Sequence, residues 1–145
     1  MKESRSSPPP FKIIEHTADT GFEVTGENLA RLFENAGLVL FHLLWDSPAG
    51  PEDRAVPIRV AGDDAAELLV SFLEEFLYLQ DARELVFTRL TVEEAEPRRV
   101  AATAWCHPFQ QGRDEAKLVA KAVTYHQIRV QEIDGGWVAR VVLDI

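Results

Sequence analysis

The sequence predicts an α+β fold, with two helices packed on a largely antiparallel β-sheet in a single domain. Three observations carry this. Apolar residues recur at helical spacing in two separate stretches, residues 29–44 and 68–79. Alternating apolar and polar runs flank those stretches on both sides, without regular βα alternation. Finally, two long strand-like runs, 121–132 and 137–145, are joined by Asp134-Gly135-Gly136, a strong hairpin signal.

In chain order, residues 1–10 read as a disordered leader, polar and ending in Pro8-Pro9-Pro10. The domain then spans 11–145. Phe11-Lys12-Ile13-Ile14-Glu15 is a first strand and residues 21–26, between two glycines, a second. Asn28 is placed to cap a helix carrying Leu29, Leu32, Phe33, Ala36, Leu40, Leu43 and Leu44. Leu38, Val39 and Phe41 make its second half apolar almost all round, which predicts burial on several sides. A loop over 46–53 ends it. Val56, Ile58 and Val60 alternate as a strand, and Pro57 places that strand at an edge or marks its start. Asp64 and Glu67 form a capping-box-like opening to a second helix whose stripe is Leu68, Leu69, Phe72, Leu73, Phe76 and Leu79. Residues 85–93 and 98–106 read as hairpin partners. A polar loop with Gln110, Gln111 and Gly112 leads to the final strand pair.

Size and composition narrow the function. The chain has 145 residues, 46% of them hydrophobic, enough for one domain with a real core. Asp plus Glu outnumber Lys plus Arg 24 to 15, for a net charge of −9. Gripping nucleic acid takes clustered cationic side chains. No dense basic run is present, so strong direct nucleic-acid binding is not expected, and a protein partner or a cation is favoured. Cys106 is the single cysteine, which excludes an intramolecular disulfide and a cysteine-rich zinc site. With no apolar leader and no long uncharged apolar stretch, a cytoplasmic protein without a membrane segment is expected. The oligomeric state is not legible.

No phosphate-binding glycine loop, nucleophile elbow or His-Glu-x-x-His motif occurs. The four histidines, His16, His42, His107 and His126, lack metal-ligand spacing. Any site must therefore be assembled by the fold. Two stretches are candidates. In Glu15-His16-Thr17-Ala18-Asp19, a simple turn is the plainer reading and Asp19 as an oxygen ligand or general base the alternative. In Val141-Val142-Leu143-Asp144-Ile145, a last core strand is the plainer reading. Its end nonetheless brings the Asp144 side chain within one residue of the α-carboxylate of Ile145. Adjacent negative groups repel unless solvated or neutralised by a cation, and hard cations such as Ca²⁺ or Mg²⁺ suit all-oxygen ligands.

These motifs resemble those of the archease family. Glu15-His16-Thr17-Ala18-Asp19 is similar to the family's opening Glu-His-Thr-Ala-Asp-Ile-Gly, with Thr20 in place of Ile and Gly21 retained. Lys121-Ala122-Val123-Thr124-Tyr125-His126 resembles Lys-Ala-Val/Ile-Thr-Tyr-His, and the chain closes on Asp144-Ile145 as archeases do. Residues 68–79 look like the family's second helix and Leu85-Val86-Phe87 its next strand, so the resemblance spans about residues 11–145. It implies a divalent cation, Ca²⁺ foremost with Mg²⁺ or Mn²⁺ as alternatives, held by Asp19, Asp144 and Ile145. It implies no catalysis by the chain itself. The expected role is activation of an RtcB-type, GTP-dependent tRNA-splicing RNA ligase, by promoting its guanylylation and multiple turnover. His16, Lys121 and His126 are candidate partner contacts. Three departures from the family's pattern fall in the 106–120 loop: His107 stands where the family usually has Glu, Asp114 where it often has His, and Leu118-Val119-Ala120 where Thr-Glu-Val is common. Two other readings stand beside this one, a carboxylate-metal hydrolase and a metal-free, chaperone-like module for nucleic-acid-processing proteins.

Overall fold

The computed structural model describes residues 8–15, 19–46 and 54–145, with Glu15 and Asp19 described by their backbones alone. The expected leader lies outside these residues except for 8–10, which precede the first strand without regular secondary structure. Most of the expected 46–53 loop lies outside them too.

The described elements are β1 (Phe11–Glu15), β2 (Asp19–Gly26), α1 (Leu29–Leu44), β3 (Trp45–Asp46), β4 (Arg54–Ala61), α2 (Ala65–Arg83), β5 (Leu85–Glu96), β6 (Arg99–Pro108), β7 (Glu115–Ala116), β8 (Ala122–Ile133) and β9 (Gly136–Asp144). Two helices and all-antiparallel strand pairs match the predicted class. The sheet, however, is divided. Four strands order as β1-β2-β9-β8, three as β4-β6-β5, and β3 pairs with β7 in a two-stranded piece. α1 and α2 each pack against strands of both larger sheets. That arrangement answers the apolar excess of α1: a helix hydrophobic beyond one stripe needs partners on more than one side. Leu32, Phe33, Ala36, Val39 and Leu40 are all fully buried.

Local signals were faithful at the helix starts. The Asn28 side chain accepts from Arg31 N at 2.8 Å, and Asp64 accepts from Glu67 N at 2.8 Å. Glu67 reaches back past its cap to accept from Asp63 N at 2.6 Å, a capping box shifted by one residue. At the other end of α2, Glu84 adopts a left-handed conformation, φ 55°, a position more often held by glycine. Pro57 does sit on an edge strand, β4. Gly135, φ +82°, makes the β8–β9 turn, across which Ile133 pairs with Gly136.

Aromatic rings knit the layers. Phe76 on α2 packs edge-on to Phe41 of α1 at 5.0 Å, to Phe72 at 5.1 Å and to Phe87 of β5 at 5.2 Å between centroids. This one ring joins both helices to the three-stranded sheet. Phe76→Ala is expected to lower stability by about 3–5 kcal/mol, the usual cost of a buried Phe truncation. Urea unfolding monitored by circular dichroism measures it; a loss below about 1 kcal/mol would show that this cluster does not join the layers.

Candidate metal centre at the strand ends

The site is built by strand register. β2 pairs with β9 from Asp19↔Asp144 through Gly26↔Trp137. β8 begins on the other side of the same position, with Ala122↔Asp144, and Lys121 N donates to Asp144 O at 2.7 Å. The start of β2, the end of β9 and the start of β8 therefore meet at one end of the four-stranded sheet. Leu143 is fully buried, while Asp144 and Ile145 are exposed. A buried anchor followed by two solvent-facing residues holds the terminal segment in place without covering it.

Gly21 contributes to this register. A Cβ there would run into the carbonyl oxygen of Val141 on β9. The glycine two residues after Asp19 thus lets β2 approach β9 closely enough to keep Asp19 opposite Asp144.

The backbones of Asp19 and Asp144 are thus direct cross-strand partners, and Ile145 follows Asp144. Lys121 is exposed and adjoins them. His16 lies outside the described residues. Among those residues, which exclude the Asp19 side chain, no three His, Cys, Asp or Glu side chains are grouped to hold a metal.

His126 lies further along β8, and here expectation and structure differ. Residues 121–132 read as one regular strand, with Tyr125 and His126 on opposite faces. Instead the register jumps from Thr124↔Val142 to Arg129↔Arg140, so residues 125–128 bulge out of the ladder. Tyr125, His126 and Gln127 are all exposed, and Gln127 takes φ 58°. The Thr124 hydroxyl accepts from His126 N at 3.1 Å, and Gln127 Oε1 accepts from Arg140 Nη2 at 3.1 Å. The side-chain oxygen of Thr124 and the long Gln and Arg arms stabilise a bend that alternation alone does not reveal.

Sequence reasoning also missed a buried polar pair. His107 at the end of β6 is fully buried, and its Nε2 donates to Asp114, 3.0 and 3.1 Å from the two carboxylate oxygens. Asp114 also accepts from Gln110 N at 2.9 Å. This pair closes the loop between β6 and β7. The segment just beyond β7 is tied to α1 through Lys117 N donating to Leu44 O at 2.9 Å. The single cysteine, Cys106, is buried beside His107, as expected of a small core residue.

With that geometry in view, known proteins can be set beside the chain. The family model of the archease protein family matches residues 11–145. Protein archease of Archaeoglobus fulgidus is 36% identical over 135 residues, 93% of this chain and 98% of that protein. Protein archease of Pyrococcus furiosus is also 36% identical, over 139 residues, again covering 93% and 98%. In three dimensions the chain is similar to the solution structure of protein 1598 of Methanobacterium thermoautotrophicum, with a TM-score of 0.75 and 32% identity over 93% of this chain and 98% of that one. A crystal structure of an archease from Thermotoga maritima, described as a possible chaperone, shares the fold with a TM-score of 0.62 at 20% identity, covering 92% and 96%. An antiparallel α+β domain with an acidic strand-end junction is thus the class of protein defined here. The chain belongs to the archease family.

Two of the positions at which the sequence departs from the expected motif pattern, His107 and Asp114, touch one another. His107 and Asp114 form a buried acid–imidazole pair. Removing one partner leaves the other buried and unsatisfied. Asp114→Ala is expected to cost about 1–3 kcal/mol, read from the denaturant midpoint at unchanged slope. Exchanging both residues, His107→Glu with Asp114→His, should recover most of that loss; a double exchange no better than the single variant would remove the pairing argument.

Proposed function

We propose that the chain is an accessory protein that activates a GTP-dependent tRNA-splicing RNA ligase, working through a cation-holding acidic tip and performing no catalysis itself. The observation that carries this reading is the opposition of Asp19 and Asp144 across β2 and β9, next to Ile145, in a chain of the archease family. Carboxylates brought to opposed positions repel each other unless a cation neutralises them. An all-oxygen set suits Ca²⁺ first, with Mg²⁺ or Mn²⁺ as alternatives. Three carboxylates fall short of the six to eight oxygens that Ca²⁺ takes, so water or partner atoms complete the shell.

The tip's setting supports a delivery role. Asp144 and Ile145 are exposed, so a cation held there is accessible to a partner's active site. Exposed Lys121, whose backbone is tied to Asp144, stands beside the tip as a contact for a partner or a phosphate. His16 and His126 are weaker contacts, His126 being set back in the bulge. The net charge of −9 favours a partner whose own surface is basic, as an RNA-handling protein's is. Among the described residues, no helix is long and apolar enough to cross a membrane.

The test is multiple-turnover ligation by the ligase of the same organism, with and without this protein. Asp144→Asn is expected to weaken Ca²⁺ binding by more than about tenfold, because site affinity follows ligand charge. It should also abolish stimulation while leaving the melting curve unchanged. Stimulation that survives the substitution would instead favour a metal-free, chaperone-like module. Robust phosphoester hydrolysis by the protein alone would favour a carboxylate-metal hydrolase. Extending the chain by several residues beyond Ile145 is expected to reduce cation affinity and stimulation together; full activity in the extended protein would remove Ile145 from the ligand set.

A further inference from the structure

A second feature of the surface is not used by the acidic tip. Two clefts lie along α2. One, of about 340 Å³, opens between α2 and β8 and is lined by Tyr78, Tyr125 and the carboxylates of Glu74 and Glu75. The other, of about 330 Å³, opens where the last turn of α2 meets the segment 116–119, and is lined by Trp45, Phe109 and Val119 beside Asp81 and Glu84. The segment 116–125 forms a wall of both clefts, and α2 forms the other.

Two properties set this face apart. Of the seven exposed large apolar side chains among the described residues, four line these clefts: Tyr78 at 63%, Val119 at 75%, Tyr125 at 59% and Phe109 at 41%. Exposed aromatic and aliphatic groups gathered around concave surface mark interaction sites. The charge is also one-sided. Four carboxylates line the two clefts, and among the described residues no Lys or Arg does.

The face is also rigidly connected to the tip. Glu74 accepts from Val123 N at 2.7 Å, pinning the start of β8 to α2. Trp45 Nε1 donates to Gln80 at 2.6 Å, and its ring packs on Phe109 at 5.5 Å. Phe109 N donates to Glu84 O at 2.8 Å. The same wall continues through Lys121 to Asp144. A partner seated along α2 is therefore held in a set orientation to the strand-end junction.

We propose that this face is the docking surface by which the chain holds its protein partner, and that it receives a basic segment carrying apolar side chains among Lys and Arg residues. The apolar side chains fill the clefts, and the carboxylates on the rim pair with the flanking cations. This rests on the functional reading above in one respect, that the occupant belongs to the RNA ligase. Its role is separate from the tip's: α2 supplies the grip, and the tip supplies the cation.

Two variants that share no residue test it. Tyr78→Ala with Val119→Asp removes apolar contact at exposed positions, and Glu75→Lys with Asp81→Lys reverses the rim charge. Binding to the purified ligase is measured by calorimetry at several salt concentrations, alongside Ca²⁺ titration and thermal melting of each variant. The first variant is expected to weaken ligase binding about tenfold or more. The second should weaken it and flatten its salt dependence. Both should bind Ca²⁺ as the parent does, while Asp144→Asn should still bind the ligase. Because the two variants are disjoint, misfolding of one leaves the other as the test. Wild-type affinity in the folded variants overturns the docking surface alone, leaving the activator reading standing. No binding of the ligase by the unaltered protein overturns both. Full binding by the surface variants with loss of ligase binding in Asp144→Asn would assign the grip to the tip itself and also remove the proposal.

Discussion

The pairing of β2 with β9 is the constraint on which the rest of the molecule depends. It joins a strand near the beginning of the chain to its last one, through eight register pairs from Asp19↔Asp144 to Gly26↔Trp137. Phe22, Val24, Val141 and Leu143 are buried by it, which fixes its phase. A slip of one residue would turn those side chains away from the helices and the exposed Asp144 toward the core. The hydrophobic effect therefore specifies the acidic junction indirectly. Core-facing residues set the register, and the register sets which backbones stand opposite one another.

A second tier of contacts ties the loop side of the molecule to this frame. The segment after β6 is held by specific bonds. His107 and Asp114 close it internally, Lys117 N fastens it to the end of α1, and Lys121 N fastens it to Asp144. Buried polar pairs of this kind are costly if half-satisfied and ordering when complete. At positions 107 and 114 the fold holds one donor and one acceptor at bonding distance, 3.0 Å apart.

Charge distribution gives the surface its direction. The protein is acidic overall, and carboxylates border the α2 clefts as well as the strand-end junction. Arginines occur on both sheets instead: Arg129 and Arg140 approach Glu23 within 3.5 and 4.0 Å, and Arg89 stacks over Trp105 at 3.8 Å. Such exposed pairs add little stability. They do partly neutralise the sheet faces, which leaves the α2 face and the strand ends as negative regions for a basic partner to recognise.

The local code was read correctly wherever the decisive interactions lie within a few residues. Asn28 and Asp64 cap helices because their side chains reach backbone N–H groups three residues on. Asp134-Gly135 turns the last hairpin because Gly135 adopts positive φ without steric cost. The apolar stripe of α2 and the burial of the second half of α1 on several sides follow from spacing alone, and so does the antiparallel α+β class. Features that join distant residues were not legible in this way. Division into two larger sheets and a two-stranded piece goes with α1 being covered from more than one side. The bulge at 125–128 depends on Arg140 meeting Gln127 and on Thr124 bonding back to the chain, neither of which alters the hydrophobic pattern. The His107–Asp114 pair reads from sequence as two unrelated departures in a polar loop. The motif resemblance singled out Asp19, Asp144 and Ile145 as a set, but only strand pairing could bring residue 19 opposite residue 144. Nothing in a linear sequence measures the distance between its two ends, whereas a packed core allows just one register for them.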